Sequence, residues 1–232
     1  MLDIQRYDQL GTMKIDWLDA HYHFSFAEYH NPKRMGLGPL RVINDDIVAA
    51  GGGFAPHPHR DMEIITYVRE GAITHKDSLG NVGRTEAGDV QVMSAGTGIT
   101  HAEYNMEDKT TTLYQIWILP ETAGVAPSWG AAKFPKDDRS GQFVTLASGY
   151  SEDEGALPIR QKARVLGATL KAGETVTYDL SAGRHAYLAA AKGVVELNGI
   201  DLYERDAAAI KDEPKLTIKA VVDAELVLVD AP

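Results

Sequence analysis

Two short patterns in this chain of 232 residues place side chains that could hold a metal ion. One is His57-Pro58-His59 and the other is His101-Ala102-Glu103. Residues i and i+2 of a strand share a face, so each pattern aims two polar groups into one space. Two such pairs on facing strands of a small barrel would surround a cation with three imidazole nitrogens and one carboxylate oxygen. That donor set suits Fe(II), Mn(II), Ni(II), Cu(II) or Zn(II). A lone histidine is most often a surface or hydrogen-bonded group, but two paired patterns beside glycine-rich turns favour a metal site.

The other polar candidates rank below these. His21 and His23 share a face but run into Phe24 and Phe26, and read as structural. His75 precedes the turn-forming stretch 77–81 and is expected at the surface. His185 stands alone, so the second half of the chain is expected to lack a metal. Asp45 and Asp46 could accept hydrogen bonds at a turn or shape the mouth of a pocket, and turn chemistry is the preferred reading. Phe54, Tyr67, Tyr104 and Gln115 are candidate pocket walls, with Phe54 and Gln115 expected to contact a substrate.

The elements that must position these groups are short. Apolar runs such as 40–48, 62–68, 72–76, 90–93 and 113–119 are preceded or followed by turn signals containing glycine, asparagine, aspartate or proline. Strands of this length and spacing point to a sandwich or barrel, and no segment shows a long helical period. Residues 120–141 are broken by Pro120, Gly124, Pro127, Gly130 and Pro135, which suggests two domains, 1–135 and 136–232. A faint repeat supports two copies of one unit. Residues 67–73, a Gly80-Asn81 turn and 86–90 are echoed by residues 188–195, an Asn198-Gly199 turn and 204–208.

Composition sets limits. There is no cysteine, which excludes disulfides, thiolate ligands and cysteine nucleophiles. Hydrophobic residues make up 44% of the chain, enough to build a core. A net charge of −10 opposes direct nucleic-acid binding. The absence of an apolar leader or membrane-length run leads us to expect a cytoplasmic monomer without a membrane partner.

Residues 51–63, from Gly51-Gly52-Gly53 through His57-Pro58-His59 to Glu63, resemble the first motif of the cupins. Residues 88–105, with His101 and Asn105, resemble the second. More narrowly, the stretches 21–26, 40–46, 57–63, 93–99 and 113–118 resemble the pirin family over roughly residues 16–120. The resemblance implies an all-β bicupin of two double-stranded β-helix (jelly-roll) barrels, the first binding one metal ion, usually iron. For bacterial members it implies quercetin 2,3-dioxygenase activity, with a flavonol and O₂ as substrates and carbon monoxide released. The alternatives are a metal-binding regulatory protein acting through a protein partner, or a different cupin metalloenzyme.

The carboxylate ligand is ambiguous. Cupins in general use the glutamate of the first motif, here Glu63, whereas pirins use the one two places after the second-motif histidine, here Glu103. An extended strand puts Glu63 about 13 Å from His59 at ~3.3 Å per residue, while Glu103 lies two residues from His101. We therefore expect His57, His59, His101 and Glu103 as ligands, Glu103 also as the proton acceptor, and Glu63 in a supporting role. A bulge could reverse the choice.

Overall fold

Short runs rich in valine, isoleucine, threonine and aromatic residues, cut by glycine turns, fold as strands almost throughout. The computed structural model describes residues 1–232. Helical structure is confined to two 3-10 turns, Tyr7–Gln9 and Lys136–Arg139, and no helix is long and apolar enough to cross a membrane.

The chain divides into two compact units. One comprises Gly11–Phe134 and Leu157–Gln161; the other comprises Met1–Leu10, Pro135–Ala156 and Lys162–Pro232. The first ten residues thus group with the second unit, because β1 (Leu2–Gln5) pairs antiparallel with the strand Ala207–Lys211. Nothing local in the sequence announces so distant a pairing.

The first unit holds β2 (Gly11–Ile15), β3 (Leu18–Tyr22), β4 (Leu40–Val48), β5 (Gly53–His59), β6 (Glu63–Glu70) and β7 (Ala72–Asp77). It continues with β8 (Val82–Glu86), β9 (Val90–Ser94), β10 (Ile99–Tyr104), β11 (Thr111–Ile118) and β12 (Ser128–Ala132). One sheet runs β12-β9-β6-β11-β4-β3-β2 and the other β5-β10-β7-β8. Asp45 and Asp46, expected at a turn, lie within β4 and are buried. The apolar residues around them have the strand period, and that pattern overrides the turn preference of aspartate.

Register sets what faces the interior. Tyr22 stands opposite Asn44, Asn44 opposite Gln115, Gln115 opposite Thr66, and Thr66 opposite Gln91. Directly paired residues share a face, so these five side chains form a polar row across β3, β4, β11, β6 and β9.

The second unit repeats this plan. Its larger sheet contains, in order, Leu2–Gln5, Ala207–Lys211, His185–Lys192, Ala224–Ala231, Arg164–Leu170 and Val144–Ser148. Its smaller sheet contains Thr175–Asp179, Lys215–Ala220, Val195–Leu197 and Ile200–Leu202. The faint sequence repeat is therefore a strand-for-strand correspondence. Gly71 and Gly193 occupy the same bend, with φ of 77° and 79°. A Cβ at Gly71 would lie 2.5 Å from Thr111 Oγ1, and one at Gly193 would lie 2.2 Å from Asp223 O, so both the angle and the space demand glycine.

Candidate metal centre

β5 alternates proline and histidine. Pro56 and Pro58 lack an N–H, which is tolerated because β5 is an edge strand that pairs only with β10. Pro56 and Pro58 are exposed, while alternation aims His57 and His59 at the same side. His101 pairs directly with His57, and Ile99 with His59. At the start of β5 a Cβ on Gly53 would meet Glu103 O at 2.4 Å, so glycine is what lets β5 close on β10. Asn105 secures the same corner by donating from Nδ2 to the carbonyls of Val48, Ala49 and Lys109.

The structure brings His57, His59 and His101 together, with one nitrogen from each lying within 4.8 Å of the others. His57 Nδ1–H donates to Ala55 O at 2.7 Å, leaving Nε2 as a bare lone pair. That Nε2 faces His101 Nε2 at 3.1 Å. His59 Nε2 is buried without a partner. Burial pushes the His59 imidazole down to about 4, helped by His57, and the His101 imidazole to about 3, helped by its histidine neighbours. Imidazole nitrogens gathered this closely, two of them on rings that burial keeps neutral, are what a cation requires.

A third strand supports His101. His75, expected at the surface, is fully buried on β7, between β10 and β8, with the Trp129 ring stacked on it at 4.9 Å. Its Nε2–H donates to Asp77 Oδ2 at 2.9 Å, so its Nδ1 can accept from His101 Nδ1–H, a long contact at 3.4 Å. Burial alone would raise the Asp77 carboxyl, but hydrogen bonds from His75, Asn81 and the Leu79 amide hold it low. A carboxylate–histidine–histidine chain thereby fixes the tautomer that turns His101 Nε2 inward.

Glu103 follows His101 on the same face of β10 and is fully buried. Its carboxylate is clamped by the polar row. Gln91 Nε2 donates at 2.5 Å, Gln115 Nε2 at 2.5 Å and Thr66 Oγ1 at 3.0 Å. Burial raises the Glu103 carboxyl to about 7, against the pull of those three donors. Glu63 is placed differently. It accepts from Ser94 Oγ at 2.5 Å and from the Arg160 amide at 3.2 Å, away from the histidines. Between His59 and Glu63 the chain leaves the strand, with Asp61 at φ 45°, so face alternation does not carry across.

The histidines open onto a cavity of about 480 Å³, within the range of small-molecule sites. Phe54 and Gln115 both line it, as do Glu103, Trp17, Phe26 and Trp117. Tyr67 and Tyr104 do not; Tyr67 follows Thr66 on β6 and so points to the opposite face. Neither His21 nor His23 reaches it. Asn44, which no sequence pattern singles out, and Asp46, for which the sequence favours a turn over a pocket mouth, also line it. Burial, with Asp45 and Glu103 adding to it, keeps the Asp46 carboxyl well above the usual carboxylate range, against the Arg69 guanidinium.

An interior cluster of three histidines that could hold a metal ion, within one β-barrel of a chain that repeats the barrel, defines the bicupin class. The Pirin family model matches residues 4–118, and a model for the quercetinase C-terminal cupin domain matches residues 145–231. A pirin-like protein of Caulobacter vibrioides is 64% identical over the full length of both chains. The quercetin 2,3-dioxygenase of Escherichia coli K12 is 40% identical, covering 100% of this chain and 99% of its own. The crystal structure of a bacterial pirin from Escherichia coli in complex with nickel(II) superposes with a TM-score of 0.94 at 39% identity, over 100% of this chain and 99% of the other. The chain belongs to the pirin family.

Proposed function

We propose that this protein is a metal-dependent dioxygenase that cleaves flavonols such as quercetin with O₂ and releases carbon monoxide. The observation that carries the proposal is the convergence of three imidazoles on the wall of an apolar cavity of about 480 Å³. The relatives named as quercetin 2,3-dioxygenases support it. His57, His59 and His101 hold the ion, and Glu103 completes the set, because it shares their cavity while Glu63 does not line it. The ion we propose is Fe(II); nickel(II), named with the Escherichia coli pirin, suits the same donors.

A divalent ion held by these residues would supply Lewis acidity toward the 3-hydroxyl of the flavonol. The protein does the rest. Glu103 accepts the 3-hydroxyl proton, since it shares the cavity with the histidines. Gln91, Gln115 and Thr66 keep its oxygens oriented. Trp17, Phe26, Phe54 and Trp117 exclude water and receive the aromatic rings. In the balanced reaction both atoms of O₂ enter the cleaved product, and the carbon that bore the 3-hydroxyl leaves as carbon monoxide.

The test is oxygen uptake and carbon monoxide release on protein of defined metal content, with quercetin and with a 3-O-methylated flavonol. Quercetin should turn over and the methylated compound should be inert, since it has no 3-hydroxyl proton to give up. Equal turnover of both would refute the mechanism. No reaction with the iron, manganese, nickel or copper form would refute the activity.

A further inference from the structure

The three histidines of the cluster are not held alike. His57 donates from Nδ1 to Ala55 O at 2.7 Å, and His101 Nδ1 meets His75 Nδ1 at 3.4 Å. His59 Nε2 is buried without a hydrogen-bond partner, and no other residue of the chain hydrogen-bonds to the ring. Metal-binding histidines almost always have their second nitrogen tied to a carboxylate, a carbonyl or a water, which fixes the ring. His59 is fixed by ring packing instead. Two of the rings around it belong to the cluster itself, His57 at 4.8 Å and His101 at 4.9 Å between centroids. The third is Trp117, which meets it edge-on at 4.9 Å and 84°. Trp117 stands on β11 two residues beyond Gln115, so it shares the interior face and lines the cavity. It is itself anchored. It packs against the buried cluster of Ile64, Met93, Ala95 and Ile99, and Ile99 is the direct strand partner of His59. Phe26 meets it edge-on at 5.3 Å and 89°. A ring held on those sides can hold the imidazole that leans on it.

We propose that Trp117 is a positioning residue of the metal centre: its ring, in the role that a hydrogen bond plays at His57 and His101, sets the orientation in which His59 offers its nitrogen to a divalent cation. A hydrogen-bonded partner both orients an imidazole and raises its basicity. An aromatic edge does only the first, so geometry carries more of the binding at His59 than at the other two. The inference rests on the assignment of the three histidines as ligands and deepens it. It does not depend on which substrate the centre takes.

The experiment measures the nickel(II) affinity of the full chain by chelator competition. Its second readout is the electron paramagnetic resonance spectrum of the copper(II) form, which reports ligand geometry and which a purely structural role would not move. Trp117→Leu keeps an apolar side chain but removes the ring, and should weaken nickel(II) binding about tenfold and alter the copper(II) spectrum. Trp117→Phe returns a ring edge, and should stay within about threefold of wild type with the wild-type spectrum. Leu18→Ala enlarges the same cavity without removing a ring from His59, and should bind nickel(II) as wild type does. Wild-type affinity and spectrum in folded Trp117→Leu would overturn the proposal. A tenfold loss in Leu18→Ala would overturn it too, because the shape of the cavity alone would then account for the effect. If wild type binds neither ion, the assignment of the histidines as ligands falls, and the role of Trp117 falls with it. Should Trp117→Leu not fold, Trp117→Met makes the same comparison.

Discussion

The two barrels have matching strand orders and opposite interiors. In the first, β5 and β10 carry His57, His59, His101 and Glu103 inward. The strands in the same places of the second barrel are Thr175–Asp179 and Lys215–Ala220, and they bury Val176, Leu216, Ile218 and Ala220. Where the first barrel has its row of Asn44, Gln115, Thr66 and Gln91, the larger sheet of the second presents Leu166, Ala168, Leu188, Ala190, Leu226 and Leu228. One interior is filled by its own side chains; the other keeps a cavity and the donors to use it. The plan of the sheets therefore sets where a site could be, and the inward side chains of two strands decide whether there is one.

The largest way to sharpen this contrast is to open the filled barrel. Leu228→Ala should cost about 2–5 kcal/mol of stability in urea unfolding, as a buried leucine truncated in a packed core does. Bound metal per folded chain should stay the same. A loss of metal from the folded variant would mean that the barrels are not independent in this respect.

The support behind His101 comes next. His75→Ala removes the group that accepts from His101 Nδ1, and should weaken metal binding by about 10–100-fold in a chelator competition while the protein stays folded. Unchanged affinity would show that the Asp77–His75–His101 chain does not orient the ligand.

The smallest effect belongs to one polar cluster of the second barrel. Tyr178 donates from its hydroxyl to Asp230 Oδ2 at 2.6 Å, and Asp230 also accepts from Arg184 Nε. Tyr178→Phe should cost about 1 kcal/mol and leave metal content untouched. An effect on metal would assign this cluster a role that its position does not suggest.

Much of this architecture is legible in the sequence, and what is not has physical causes. The H-x-H and H-x-E spacings survive folding because strand alternation is local, and glycines such as Gly71 and Gly193 mark bends that only glycine can make. His75 is misread because its neighbours look like a surface hairpin; its burial comes from Trp129, which is remote in sequence. Asn44 becomes a cavity residue only once β4 is known to lie between β11 and β3. The choice between Glu63 and Glu103 turns on the break at Asp61, where counting residues along a strand no longer tracks faces. The pairing of β1 with the second unit depends on contacts from the opposite end of the chain.

The central claim is that the first barrel alone carries the metal. Elemental analysis of the His57→Ala/His101→Ala variant, purified beside wild type and confirmed folded, tests it directly. The account predicts one equivalent of metal in wild type and essentially none in the variant, because the remaining imidazole of His59 has lost both partners of its cluster. Full metal occupancy in the folded variant would contradict it.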